Sequence, residues 1–446
     1  MRRQITAMAL SLALCGSLLS ATALAAQTPS GAADAAMAAA GVKDGQTVTQ
    51  KELYAADPEG TVSFANLEAR VRENNLTIRM LEESIASIDV VDYEKMYDEL
   101  KDGLNAIARS QRDLLQAGLL NSAFETPKPG DLANVPGTSE LFTNYVFSNL
   151  DASYDSLRET FDDLKDGKIQ DDYAAAKRQL ENAENQVVMG AETLYMAILE
   201  MQNTRASLQR QLDALDRTVE EMELRYQMGQ VSALQLQQTK AGRTQLSSGL
   251  ETLRMNIRNT KAQLEMMIGA EQTGEIALGP VPEVTEKQLE SMDLEKDLLT
   301  AKERSYELYA AAKKLEEPQE NYKDLGRQYN YNEKNMQFRQ AKHNWQATQY
   351  TYNDTVQSYE LKFRTLYAQV QDYKQILEAA KVSLECEKTS CAAAELRYQQ
   401  GTISANTLLD AKDSLWEAEE KVQIASNDLF SAYNTYCWAV EHGVLN

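Results

Sequence analysis

The chain has 446 residues and a formal net charge of −22, with only 20 glycines and 8 prolines. Such a composition disfavours many short strands and turns and favours long helices. The acidic balance makes nucleic acid and anionic lipid surfaces poor electrostatic partners. At the N-terminus, Arg2 and Arg3 precede a mostly apolar run from Ile5 to Leu24, and Ala23-Leu24-Ala25 has the form of a cleavage site. This predicts a signal peptide over 1–25 and an exported mature chain. A lipoprotein reading centres on Cys15, with Leu14 where a small residue is expected. Residues 26–60, rich in Ala, Gly, Thr and Asp, read as a flexible lead-in. Downstream, no stretch reaches the roughly 18 apolar residues of a membrane helix.

Helical periodicity then dominates. Breakers cluster at Pro127-Lys128-Pro129-Gly130 with Pro136-Gly137, from Gly269 to Pro282, and around Pro318, and predict loops there. From about Asp171 to Met228 the run is broken only by Gly190 and predicts one very long helix.

An internal repeat is the strongest signal. Residues 223–240 read ELRYQMGQVSALQLQQTK and residues 395–412 read ELRYQQGTISANTLLDAK, with ten of eighteen positions identical at an offset of 172. Upstream, Glu73-Asn74-Asn75-Leu76 corresponds to Glu303-Arg304-Ser305-Tyr306 at an offset of 230, so the first half carries an insertion around residues 100–170. The predicted organisation is a first helical repeat over 61–270, a linker over 271–284 and a second repeat over 285–446. Each repeated motif reads as a helix–turn–helix tip. Gly229 and Gly401 stand where a helix ends in positive φ. Ser232 and Ser404 fit the next N-cap. Gln235 completes a capping box at the first tip, and Thr407 leaves the second incomplete.

The flanking helices carry heptads. Leu208, Leu212, Leu215, Val219, Met222 and Tyr226 lead to the first tip, and Leu246, Leu250, Leu253 and Ile257 leave it. In the last helix Leu408, Leu415, Val422, Leu429 and Tyr436 alternate with Ala411, Ala418, Ala425, Ala432 and Ala439. A large residue alternating with Ala allows close helix approach. A second stripe holds Leu409, Trp416, Phe430 and Cys437, which predicts neighbours on both sides, as in a ring of helices. The expected fold class is therefore all-α, with long antiparallel helical hairpins in two tandem repeats.

Catalytic and metal chemistry find no foothold. Carboxylates fall on solvated helical faces. His343 and His442 lack ligand spacing and read as surface histidines, and the mature cysteines Cys386, Cys391 and Cys437 read as buried thiols. No enzyme activity, cofactor or metal is expected.

These features resemble the TolC-like outer-membrane efflux family over roughly residues 62–443. The opening helix segment is similar at Ala69, Asn74, Asn75 and Leu76. The tips are similar at Arg225, Tyr226 and Gly229, and at Arg397, Tyr398 and Gly401, with Leu408, Leu409, Asp410, Ala411 and Leu415 following the second. The resemblance implies a trimer enclosing a hollow α-barrel. Its tips would dock on a periplasmic adaptor (membrane fusion) protein linked to an inner-membrane pump. The implied function is a passive exit duct for drugs, toxins or other solutes. Arg225, Tyr226, Gly229, Ser232, Arg397, Tyr398, Gly401 and Ser404 would form the partner-binding tips, and Asp410 an acidic ring at the aperture. The sequence departs from the family where two strands per half are expected. Residues 121–150 offer only short candidates such as Tyr145-Val146-Phe147, and Glu316–Asn335 is too polar to face lipid. The competing reading is a structural coiled-coil scaffold or spacer in the cell envelope.

Overall fold

The computed structural model describes residues 57–58, 60–116 and 138–445. The predicted signal peptide, Cys15, most of the expected lead-in and the expected loop at Pro127–Gly130 lie outside the described residues. In chain order the elements are β1 (Thr61–Val62), α1 (Phe64–Asn74), α2 (Leu76–Asp89), α3 (Tyr93–Gln116), α4 (Thr138–Lys165), α5 (Lys168–Gln227), α6 (Ala233–Met267), β2 (Ala277–Leu278), α7 (Glu286–Glu290), α8 (Leu294–Arg304), α9 (Tyr306–Gln328), α10 (Met336–Gln399) and α11 (Ala405–His442).

Two one-piece helices set the frame. α5 has 60 residues and α10 has 64, about 90 and 96 Å at 1.5 Å per residue. Each folds back at a tip, α5 into α6 and α10 into α11, and the two hairpins lie side by side through an α5–α11 seam. The helices at the tip end thus follow the order α6, α5, α11, α10. Along the other half of α5 and α10, α2 takes the place of α6, and α9 that of α11.

The hand-over is built the same way twice. α6 ends at Gly269, with φ +69°. There Asn75 donates from Nδ2 to the Met267 carbonyl (3.0 Å) while its Oδ1 accepts from Thr77 N and Ile78 N, capping α2. α11 ends at Gly443, with φ +68°. Ser305 caps α9 by accepting from Leu308 N, and Arg304 donates to the Glu441 carbonyl at 2.9 Å. Asn75 and Ser305 are the positions matched by the offset of 230. A buried tyrosine pins each junction. The Tyr195 hydroxyl lies 2.6 Å from the Gly279 carbonyl and 3.2 Å from that of Val62. The Tyr359 hydroxyl lies 3.1 Å from the Ala301 carbonyl and 3.2 Å from that of Gly443. Burial pushes the Tyr359 phenol up to about 12.

One apolar core sits at each junction. Phe64, Leu67, Val71, Val188, Tyr195 and Leu264 centre the first, and Leu298, Tyr359, Phe363 and Val370 the second. α11 serves both. Leu429, Ala432, Tyr436 and Ala439 face the second core, while Phe430 and Trp438 enter the first. The first stripe of α11 thus packs within the chain, and Phe430 of the second enters the first core, while Leu409 and Trp416, nearer the tip, stay exposed; the free edges of the layer at the tip end are α6 and α10. Phe430 packs edge-on to Phe64 with centroids 4.7 Å apart.

The only strands among the described residues are β1 and β2, a parallel pair of two residues each. β2 lies in the predicted linker, which Glu265 holds in place. This side chain, 2% exposed, accepts from Gly274 N (2.6 Å), Ile276 N (3.0 Å), Glu275 N (3.1 Å) and the Thr273 hydroxyl (3.1 Å). Burial alone would raise its pKa, but these donors outweigh it and hold the carboxyl below the ordinary value. The end of the lead-in is also anchored: Asp57 accepts from Ser63 N and Asn66 Nδ2 and pairs with Arg70.

Several expectations need correction. Tyr145, Val146 and Phe147 are not strand but lie within α4. α3 and α4 pair as an antiparallel helical arm, with Tyr97 against Phe161 (centroids 4.8 Å apart) and Gly103 closely facing Leu157. Phe147, Leu150, Tyr154, Leu157, Phe161 and Leu164 make one heptad seam, which is helical periodicity; the alternation that a strand needs is absent. Pro318 does not break the chain but lies inside α9. It forfeits one backbone hydrogen bond, and packing on either side holds the helix: Leu308 is buried, and Tyr322 stacks on Trp345 at 4.6 Å. The turn comes later, where Asn330 and Tyr331 adopt φ of 50° and 54°. The Tyr331 ring lies over Gly326, where any Cβ would sit 2.4 Å from it. Cys386 is exposed, Cys391 buried and Cys437 partly buried, all as free thiols. His442 is half-buried against Trp438, at a centroid distance of 4.7 Å.

Candidate functional site at the hairpin tips

Both tips are closed by one design. At the first, Gly229 N donates to the Tyr226 carbonyl (2.9 Å) and Gln230 N to that of Arg225 (2.8 Å). At the second, Gly401 N donates to Tyr398 O (2.9 Å) and Thr402 N to Arg397 O (3.0 Å). These are the paired bonds of a Schellman motif, and they demand a left-handed residue at the glycine. Both glycines have φ +70°. A Cβ at either would meet no atom within 4 Å, so backbone conformation alone selects glycine here.

The next helix then starts on a serine. Ser232 accepts from Gln235 N at 3.2 Å, and Gln235 Oε1 accepts from Ser232 N at 3.0 Å, a full capping box. Ser404 accepts from Thr407 N at 3.2 Å, and its hydroxyl meets that of Thr407 at 2.9 Å. The ends of the repeated segment also pair: Lys240 bridges to Glu223 at 2.6 Å, and Lys412 to Glu395 at 3.3 Å. Each bridge ties the outgoing helix to the incoming one just behind the turn.

Arg225 and Arg397, and Tyr226 and Tyr398, give only their backbone carbonyls to this closure. All four side chains are exposed. Arg225 pairs with Glu221 one turn back in its own helix. Arg397 makes no ion pair with any described residue. Leu224, Met228, Leu234 and Leu396 add exposed apolar surface beside them. The Asp410 side chain is exposed on the second turn of α11. The tips therefore present cationic and aromatic groups on a rigid, capped turn. Residues that the turn needs, Gly229, Gly401, Ser232 and Ser404, are distinct from those it leaves free.

Behind the tips, the two hairpins are tied together by ion pairs that sequence reading did not single out. Arg210 pairs with Glu420, and Arg217 with Asp413 at 2.5 Å. Arg210 also lies over the Trp416 ring, 5.7 Å from its centroid. Further from the tips, Glu192 accepts from Trp438 Nε1 and Asn434 Nδ2, each at 2.6 Å. Burial pushes the Glu192 carboxyl up despite those donors. Among the described residues no group of three or more His, Cys, Asp or Glu could hold a metal ion, and no helix is long and apolar enough to cross a membrane.

No protein-family model matches the sequence, and no curated protein matches it. Solved structures do. A membrane protein from Pseudomonas aeruginosa matches at 14% identity over 84% of this chain and 89% of its own, with a TM-score of 0.48. The outer membrane protein VceC of Vibrio cholerae matches at 14% identity over 84% and 95%, with a TM-score of 0.45. The MtrE outer membrane channel of Neisseria gonorrhoeae, in its open state, matches at 13% identity over 85% and 88%, with a TM-score of 0.46. Each of these similarities extends over 84–85% of this chain.

Proposed function

We propose that this chain is the exit duct, or another extracytoplasmic component, of a multipartite efflux or secretion system. It would assemble as a trimer whose tips dock on a periplasmic adaptor protein coupled to an inner-membrane pump. The observation that carries the reading is the duplicated tip. One capped turn is built twice, at the ends of two parallel-set hairpins, and each leaves an Arg and a Tyr side chain unused by its own closure. A spacer needs no matched pair of such ends. Asp410, once per copy, would add acidic charge near the mouth and favour cations there.

The mature protein belongs to the cell envelope in this reading, but does not cross a bilayer as the family's strands do. The helical pairing of α3 with α4 into an arm and the polar sequence of Glu316–Asn335 support this. The same arm is what favours the second reading, an envelope scaffold.

The test is a deletion strain loaded with a fluorescent efflux dye. Loss of the protein should raise dye retention severalfold, and the native chain should restore it. The Gly229→Val/Gly401→Val variant should not restore it, while keeping its helix content by circular dichroism. Full complementation by that variant would leave the scaffold reading standing.

A further inference from the structure

The turn that joins α9 to α10 is built unlike the hairpin tips. Elsewhere among the described residues every positive φ falls on glycine; here it falls on Asn330 and Tyr331. A bulky residue seldom adopts that conformation, and such strain persists only where the surroundings hold it in place. Here the surroundings are an aromatic cluster. Tyr331 packs edge-on to Phe338 with centroids 5.7 Å apart, and Phe338 stacks on Tyr322 at 5.6 Å. Tyr331 N donates to the Gly326 carbonyl at 2.8 Å, beneath the ring that Gly326 makes room for. Even so, Tyr331 is not a core residue: it is 52% exposed, and Met336, five residues on, is 70% exposed.

The turn also holds a surplus of hydrogen-bond donors. Five of the ten residues 328–337 are amides: Gln328, Asn330, Asn332, Asn335 and Gln337. The fold uses three of their oxygens. Asn335 Oδ1 accepts from Phe338 N at 3.1 Å, Asn332 Oδ1 from Lys334 N at 3.0 Å, and Gln337 Oε1 from the Tyr329 hydroxyl. None of the five NH2 groups donates to a described residue. Charge follows the same bias. Residues 322–343 carry five Lys or Arg against two Asp or Glu, a net +3 in a chain of −22. Arg327 pairs with Asp324, and Lys342 with Glu333. Lys323, Lys334 and Arg339 are exposed and make no ion pair with any described residue. In physiological salt, attraction between exposed charges reaches only about 8–10 Å, so this local charge governs what the turn attracts.

We propose that the α9–α10 turn docks on the glycan of the cell wall, peptidoglycan, a polysaccharide of acceptor-rich sugar rings with free carboxylates. Tyr331 offers an exposed aromatic face to a sugar ring. The amide NH2 groups donate to hydroxyl and carbonyl oxygens, and Lys323, Lys334 and Arg339 pair with carboxylates. A bilayer fits the turn less well. Its exposed large apolar side chains are Tyr331 and Met336 alone, too few to enter lipid, and the rest is amide and charge. The turn lies at the opposite end of α10 from Gly401, about 96 Å along the helix, so docking there leaves the tips free. The inference goes beyond the duct reading and needs only that the chain is exported.

Sedimentation of the full chain with purified peptidoglycan tests it. The native chain should pellet with glycan stripped of phosphate-bearing polymers, and less so at high salt. Lys334→Gln with Arg339→Gln should weaken binding about fivefold for each cation removed. Tyr331→Gly removes the ring while easing the left-handed backbone, so it should weaken binding and keep the helix content. Tyr350→Ser, at an exposed site further along α10, should bind as the native chain does. A native chain that stays in solution overturns the inference, as does undiminished binding by both turn variants. Retention only by vesicles of anionic lipid, or only by wall that keeps its phosphate polymers, overturns it too. Dye efflux reads the other question. Lost glycan binding in the native chain with efflux intact leaves the duct reading standing, and failed efflux with glycan binding intact overturns that reading alone.

Discussion

Gly401 and Gly443 have nearly the same backbone, φ +70° and +68°, but their surroundings differ completely. An alanine at either accepts a left-handed conformation at about 1–2 kcal/mol. At Gly401 that is the whole cost, because the new methyl meets nothing within 4 Å. At Gly443 it would lie 2.3 Å from Ser305 N and 2.5 Å from Arg304 C and Ser305 Cα. Those are backbone atoms of the α9 cap and cannot rotate aside. Relief requires moving the junction. The Ser305 cap, worth about 1 kcal/mol, is then at risk, as is the buried bond from the Tyr359 hydroxyl to Gly443, worth about 1 kcal/mol. Gly443→Ala should therefore cost about 3–4 kcal/mol, against about 1–2 kcal/mol for Gly401→Ala. Urea unfolding followed by circular dichroism, at one protein concentration for all variants, measures the difference. Equal midpoints for the two variants would refute the argument that the α11–α9 junction is close-packed.

Glu265→Gln should loosen the linker, since an amide offers one acceptor where four donors converge; faster hydrogen exchange at Gly274, Glu275 and Ile276 is the readout, at a cost of about 2–3 kcal/mol. Because the folded carboxyl is held below its ordinary value, its stabilisation is present above about pH 4.3, the unfolded value, and is lost as pH falls through the lowered one; the variant should lose less stability than the native chain over that acid window. Tyr359→Phe should cost about 1 kcal/mol and raise exchange at the end of α11, with no change at the tips.

The tips were legible because their chemistry is local. A glycine for positive φ and a serine three residues on determine the turn whatever lies around it, and the repeat displayed the pattern twice. The long helices were legible by length and period. What joins them was not. Tyr195 reaches Gly279, Arg210 reaches Glu420 and Glu192 reaches Trp438, contacts between residues that no spacing brings together on paper. Asp57 and Glu265 could not be singled out, since a carboxylate's burial depends on donors supplied by a distant or irregular backbone. Pro318 misled for a related reason: a proline forbids one hydrogen bond, and whether the helix survives is decided by what packs against it. In α11 the second stripe divides: Phe430 packs on the same chain's first repeat, whereas Leu409 and Trp416 stay exposed.

The one-piece and two-piece rods have different mechanical roles. α5 and α10 are continuous covalent helices, so a pull or twist applied at a tip travels along them without a gap. α6 and α11 hand over to α2 and α9 through a few hydrogen bonds, such as those from Asn75 to the Met267 carbonyl and from Arg304 to the Glu441 carbonyl. They can bear compression end to end but give way first under tension. Each tip thus joins one stiff limb to one severable limb, and a force dragging on the tips would be carried by α5 and α10 and would part the chain's packing at the junctions before it bent the rods.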